Sequence, residues 1–322
     1  MQHVSGAARL NQRVIGAIAC LAFLAIGIGV ASPLLPDSST IGVLARIFGS
    51  LAPLFLVAGA CLGLVLIPLR AGRMGLFFIA ASALSLGLFA ARHVMVSQPL
   101  DPAAAPDLRV IFFNVLFENT TNGDRILQAV READPDVVVF SEAIALRKEA
   151  EVLKAEFPYH VGCERACEVF ALSRIEPTNI QLFSLSNRWQ QRMAALHFEL
   201  PDGRGLNVVA AHMLKPWFHD LAGKERAELF VAINRMEGPT VLMGDFNSAP
   251  WSFPMFDVYR NAGFAPLRRP VGTWPASAGD LGLPIDHMLV RDGAVLVNLQ
   301  PFGGDLGSNH RGLLADIAVR RD

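Results

Sequence analysis

Lysine is absent from the first 99 residues of this 322-residue chain, and the same stretch holds six arginines and a single acidic residue, Asp37. A segment so poor in charge cannot clothe a water-soluble surface, and with 52% of all residues hydrophobic it points to a part of the chain that lives in lipid. A wide basic surface is missing as well. Residues 100–322 carry 22 basic and 28 acidic side chains, a net charge of 22 − 28 = −6, which excludes broad non-specific affinity for nucleic acid and leaves only local contacts. Four cysteines, with no second Cys/His pair to complete a zinc site, exclude a disulfide-framework fold and a structural zinc centre. No glycine-rich phosphate loop is present, and Ser173 lacks the local signature of a nucleophile elbow, which disfavours a covalent serine intermediate.

Three apolar stretches fill the N-terminal third, at about 14–31, 48–69 and 74–96, each long enough to cross about 30 Å of hydrocarbon at about 1.5 Å per residue. Three transmembrane helices within 1–98 are expected. Arg46 and Pro53 make the middle span begin near Phe48 and permit a kink. A cleavable leader at 1–31 is the competing reading, opposed by the two further spans and by the lack of a small-residue cleavage site before Pro33. Arg9 and Arg13 precede the first span, and Arg70 and Arg73 separate the second from the third. The positive-inside bias therefore places the N-terminus in the cytoplasm and everything after Val96 outside, in the periplasm of a bacterium whose inner membrane holds the spans. Residues 99–107, with Pro99, Pro102 and Pro106 among alanines, read as a stiff extended linker.

Cys20 and Cys61 lie in apolar runs and read as small buried hydrophobes. Cys163 and Cys167 stand four apart among polar neighbours, open to a short disulfide loop, half a metal site or two unrelated thiols; an oxidising outer compartment favours the disulfide.

From Leu108 on, short apolar runs alternate with turns, at 109–117, 136–141, 169–172, 193–200, 206–213, 240–244, 285–290, 294–299 and 313–319. These are expected strands. Helical spacing appears at 123–133, 144–157, 219–236 and 253–261, so an α/β or α+β sandwich is expected over 108–322. Polar residues gather where strands end, which is where a sheet scaffold presents a site. In VLMGDFNSAP an apolar strand delivers Asp245 and Asn247, two apart on an extended chain, so a carboxylate and an amide face one side. That pair suits activation of water and binding of a phosphoryl oxygen, although a plain Asx turn explains it equally well. Asn114 in IFFNVLF and Glu142 in VVVFSEAI set an amide oxygen and a carboxylate at strand ends, a donor set for a hard cation such as Mg²⁺. His212 and His310, with Asp286 in PIDHML able to orient one imidazole, suit the surroundings of a transferring phosphoryl group. Direct attack by water is favoured.

The order of these signals, N in a first strand, F-S-E, L-S-R, A-H, G-D-F-N, T-W-P, I-D-H and S-N-H-R, resembles the endonuclease/exonuclease/phosphatase superfamily over 108–319, and its bacterial membrane-anchored members in particular. The resemblance implies a four-layer α/β sandwich of the DNase I-like kind with its site at one edge and Mg²⁺ or Mn²⁺ as cofactor. By the same resemblance Glu142 is the principal metal ligand with Asn114 beside it, Asp245 positions or deprotonates water, and Asn247 binds the scissile phosphate. His212 contacts phosphoryl oxygens or the leaving group, and His310, oriented by Asp286, stabilises the transition state. The superfamily has Asp immediately before the last His, where this chain has Asn309; an amide there can still ligate a metal but removes one negative charge. Trp274 is expected to pack or line the cleft, and His287 to face away from the site. A membrane-tethered phosphoesterase acting on nucleic acid, lipid headgroup or small phosphate esters follows, with a catalytically idle binding module of the same fold as the alternative. Transport would need more spans and more intramembrane charge.

Overall fold

The computed structural model describes residues 6–35, 42–164, 167–187, 190–218 and 221–321, which fall into two compact units, 1–95 with 251–254 and 96–250 with 255–322. The first unit is helical: α1 (Gly6–Ala31), α2 (Gly42–Ser50), α3 (Ala52–Leu66) and α4 (Gly72–Val96). Two helices among the described residues are long and apolar enough to cross a membrane, Arg9–Leu34 and Gly72–Val96. In the expected middle span the permitted kink is a full break. The chain breaks at Leu51, bends by 70° and restarts as α3 with proline in its first turn, where the missing N–H costs nothing. With 15 residues, α3 alone extends about 22 Å at about 1.5 Å per residue, so a third crossing exists only if α2 and α3 together count as one bent span. Small residues let these helices approach closely: a Cβ on Gly75 would stand 2.4 Å from the Gly63 carbonyl oxygen.

Among the described residues the second unit has eleven strands and four α-helices: β1 (Leu108–Asn114), α5 (Gly123–Ala133), β2 (Val137–Ser141), α6 (Ala150–Glu156), β3 (Tyr159–Val161), β4 (Val169–Ser173), β5 (Asn179–Phe183), β6 (Met193–Glu199), β7 (Gly205–His212), α7 (Leu221–Ile233), β8 (Thr240–Asp245), α8 (Phe253–Ala262), β9 (Asp286–Arg291), β10 (Ala294–Phe302) and β11 (Gly312–Val319). They build two sheets, in the orders β10-β11-β1-β2-β4-β3 and β5-β6-β7-β8-β9. The near-continuous apolar runs have a physical reason, since each central strand is buried on both faces. Val110, Phe112, Val137 and Val139 of one sheet pack against Leu196, Val208, Val241 and Met288 of the other. The alternate residues Ile111, Phe113, Val138 and Phe140 pack outward on Ile126, Val130 and Leu153 of α5 and α6. On the far side Val209, Leu242 and Leu289 pack on Leu229, Ile233, Met255 and Val258 of α7 and α8. The order helix, sheet, sheet, helix is the expected four-layer sandwich.

Residues 98–107 do not run free as a linker. The Gln98 N–H donates to Pro266 O at 2.8 Å and its carbonyl accepts from Arg268, while the N–H groups of Asp101 and Asp107 donate to Leu296 and Ile317. Cys163 and Cys167 are joined in a disulfide.

One buried cation ties the outer helices down. The Arg291 guanidinium donates to Ile233 O (2.7 Å), Met236 O (2.7 Å) and Ala262 O (3.0 Å), carbonyls at and just beyond the ends of α7 and α8. Replacing it by an apolar residue of similar length removes this buried donor from all three. Arg291→Met is expected to lower the unfolding free energy of the full chain by about 3 kcal/mol, read from denaturant melts in detergent.

Candidate active site

Strand alternation fixes the site. In β7, β8 and β9 the inward-facing residues are Val208 and Ala210, Val241 and Met243, and Met288 and Val290. The next positions on those same faces are His212, Asp245 and Asp286. The ladder register sets the three in one row, His212 opposite Asp245 and Asp245 opposite Asp286. In the other sheet the face of Val110 and Phe112 continues to Asn114, opposite Ser141 on β2. Gly244 permits the row: a Cβ there would lie 1.8 Å from the Ala211 carbonyl oxygen, so only glycine lets β7 and β8 close up beneath Asp245.

Asp245 lies at the centre and is 1% exposed. Its Oδ1 accepts from the Asn247 N–H at 2.8 Å, and its Oδ2 accepts from Asn114 Nδ2 at 3.0 Å. That same oxygen stands 3.7 Å from His212 Nε2 and 3.8 Å from His310 Nε2. His310 Nδ1 pairs with Asp286 Oδ2 at 2.9 Å, so the ring is oriented as expected. The other imidazole has its own carboxylate, with Glu168 Oε1 2.6 Å from His212 Nδ1. Two histidine–carboxylate pairs thus flank one aspartate. Glu142, in a left-handed turn after β2, accepts the Phe117 N–H on Oε2 and turns Oε1 toward Asn114 Nδ2 (3.4 Å) and His212 Nε2 (3.9 Å).

The Asn114 amide is oriented by a backbone donor. Its Oδ1 accepts the Leu116 N–H at 3.0 Å, which fixes the amide and presents the NH₂ to Asp245 and Glu142. It is a donor bridging two carboxylates. Asn309 is exposed, its backbone carbonyl accepts from Ala276, and its side chain forms no hydrogen bond among the described residues. Asn247 sits in the Asx turn considered from sequence and donates Nδ2 to Met213 O at 3.0 Å, leaving its second N–H and its oxygen for a ligand. His287 faces away, bonded through Nε2 to Ser248 O at 2.8 Å.

Several contributors were assigned no role from the sequence. Ser308 Oγ donates to Asn114 O and accepts the His310 N–H, stapling the last loop to β1. Thr273 Oγ1 accepts the N–H groups of Ile285 and Asp286, which gives the T-W-P run a structural role. Glu168 is held by Arg192 Nη1 at 2.7 Å, and Arg192 lies 3.5 Å from buried Glu225 on α7, which also accepts the Leu214 N–H. These three residues lie in a turn, at a strand edge and on a helix, where the sequence offers only ordinary surface polarity.

The charge balance asks for a cation. Glu142, Glu168, Asp245 and Asp286 converge, Asp286 Oδ1 is buried without a hydrogen-bond partner, and Asp245, Asp286 and His310 offer ligand atoms within 4.8 Å of one another. Since His310 Nδ1 is already paired with Asp286, the oxygens of Glu142 and Asp245 are the more natural seat for a hard cation, which prefers carboxylate and water. Burial lowers the His310 pKa, but the attraction of Asp286 and Asp245 outweighs it and pushes the value up to about 9. Glu168 is held below the usual carboxylate range, because His212 and then Arg192 overcome the effect of its burial. Beside Glu142 and His212 opens a cleft of about 310 Å³, walled by Phe117, Trp217 and Phe218.

The model of the Endonuclease/Exonuclease/phosphatase family matches residues 111–310, from β1 to His310. Among solved structures, the chain is similar to an endonuclease/exonuclease/phosphatase from Bacteroides vulgatus (17% identity, 67% of this chain and 100% of that one, TM-score 0.53). It is also similar to a humanized D. rerio TDP2 (15%, 66% and 99%, TM-score 0.52) and to the human Nocturnin catalytic domain with bound sulfate (13%, 67% and 94%, TM-score 0.51). At these identities the likeness is one of fold. No curated protein sequence matches the chain.

A raised pKa in the folded state stabilises the fold below the unfolded value, about 6.5, and that contribution is lost as pH rises through about 9. With chelator present, unfolding free energy is expected to fall between these values. Asp286→Asn is expected to flatten that slope and to bring the His310 titration, followed by NMR, back toward neutral pH.

Proposed function

The chain belongs to the endonuclease/exonuclease/phosphatase family, and from that premise we propose that it is a membrane-tethered, divalent-metal-dependent phosphoesterase that hydrolyses its substrate by direct attack of water. The observation that carries the reading is the single row of His212, Asp245 and Asp286, met from the facing sheet by Asn114 and Glu142. Family members are generally phosphoester hydrolases, and these are the groups such a reaction needs.

Glu142 and Asp245 would hold Mg²⁺ or Mn²⁺. When bound, the cation neutralises phosphoryl charge and acidifies water. Asp245, locked by two N–H donors, has a fixed lone pair with which to orient a water and accept its proton. His310 is cationic at neutral pH and anchored by Asp286, so it opposes the negative charge that grows on the phosphoryl oxygens. The free N–H of Asn247 donates to the phosphate. His212, paired with Glu168 on Nδ1, presents Nε2 to phosphoryl oxygens or the leaving group. No protein nucleophile is required.

The tether rests on the two long apolar helices and on the arginine distribution. With α2 and α3 counted as one bent third crossing, these support an inner-membrane protein with a cytoplasmic N-terminus and its catalytic domain outside, where the Cys163–Cys167 disulfide is at home; two crossings alone would return the domain to the cytoplasmic side.

The full chain in detergent is expected to turn over a chromogenic phosphate bis-ester with Mg²⁺ or Mn²⁺, and chelator is expected to stop it. Asp245→Ala and His310→Ala should each lower kcat by a factor of about 10² or more. Turnover no greater than that of these variants, across several metals and esters, would leave only the idle binding module. Reporter fusions at Asp101 test the topology separately, and a cytoplasmic signal overturns the orientation.

A further inference from the structure

The cleft beside the catalytic row has a composition that the hydrolytic chemistry leaves unused. Its walls are the rings of Phe117, on the loop after β1, and Trp217, on the loop after β7, and these large apolar side chains remain 58% and 57% exposed. Its floor is charged: Glu142, Glu168, Arg192 and His212. Lys215 Nζ lies 5.9 Å from the centroid of the Trp217 ring and adds a cation to that wall. The cleft is continuous with the reaction centre through one residue, since the backbone N–H of Phe117 donates to Glu142 while its ring forms the wall. A group attached to a phosphate held at Glu142 and His212 therefore has this cleft beside it.

Aromatic walls over an ionic floor select among substituents. An acyl chain laid here would strip water from four charged groups and return no hydrogen bond, an unfavourable exchange. A sugar without a base leaves both ring faces in water. A nucleobase satisfies both parts: its faces stack on Phe117 and Trp217, and its polar edge meets the charged floor. The net acidity of the domain weighs against a long duplex and favours a mononucleotide or a strand end. Resting on the phosphoesterase reading above, we infer that the Phe117–Trp217 cleft is a stacking subsite for a nucleobase, so that the phosphoester presented to Glu142 and Asp245 is that of a nucleotide.

The test is calorimetric binding to the full chain in detergent with Mn²⁺, using AMP, glycerol 3-phosphate and dihexanoyl phosphatidylglycerol as probes. AMP is expected to bind at least about tenfold more tightly than glycerol 3-phosphate, the size of effect one stacked base supplies. Phe117→Ala and Trp217→Ala, both at exposed positions, should each weaken AMP at least about fivefold, with unchanged thermal melts and unchanged glycerol 3-phosphate affinity. Equal affinities for AMP and glycerol 3-phosphate overturn the proposal. So does tighter binding of the phosphatidylglycerol that is lost in Trp217→Ala, which assigns the cleft to lipid. Turnover of the bis-ester in the same preparation separates the two readings: turnover without AMP preference removes the subsite alone, and AMP preference without turnover keeps the subsite and removes the hydrolase.

Discussion

Burial of both sheets on both faces is the constraint from which the rest of this domain follows. Central strands such as β1, β2, β7 and β8 have no solvent face, so a polar side chain on them is tolerated only where the strand runs out of the sandwich. The inner faces carry Val, Phe, Ala, Leu and Met until their last position, and there Asn114, His212 and Asp245 appear; β9, running the opposite way, starts on Asp286. Ladder hydrogen bonds then do what no loop could do, holding three ionisable groups in register to within the precision of a sheet. The site is the end of the core, and its rigidity is borrowed from the core.

Placing so many carboxylates together is costly unless something compensates, and the structure shows how far the protein goes by itself. Asn114 gives its NH₂ to two of them, backbone N–H groups of Phe117 and Asn247 each serve one, and the imidazoles of His212 and His310 serve the others. Arg192 repeats the arrangement one step out, between Glu168 and Glu225, where burial pushes the Glu225 carboxyl up despite the guanidinium beside it. Asp286 Oδ1 has no hydrogen-bond partner among the described residues. With a histidine, a buried arginine and an oriented amide already engaged, that oxygen is an acceptor still open to positive charge.

What the sequence made legible follows the same logic. Strands of the central sheets and the amphipathic α5, read at 123–133 and found at Gly123–Ala133, are visible because burial on a fixed period writes itself into residue type. Edge strands β3 and β5 were not, because Tyr159–Val161 and Asn179–Phe183 are largely half-exposed and carry mixed side chains. Asp245, Asp286, His212 and His310 were singled out as polar residues at the borders of apolar strands. Glu168 and Arg192 were not: each lies just before its strand begins, where charge is unremarkable, and only the fold brings the pair to His212. The orientation of the Asn114 amide depends on one backbone N–H two residues later, which composition does not carry, whereas the break before Pro53 falls where that proline permits a kink.

The entry of the chain into this domain has a consequence for the site. A proline-rich segment would ordinarily be a spacer, but here Gln98 is bonded on both sides to the 266–268 segment, and Asp101 and Asp107 are bonded to β10 and β11. The segment it grips leads within a few residues to Thr273, whose hydroxyl holds the start of β9 and so Asp286. Gln98 and the Asp286 that orients His310 are thus connected through the 266–273 segment. A free linker would let the site be indifferent to what precedes it; a strap bonded to the sheets fixes residue 98 with respect to the row of His212, Asp245 and Asp286.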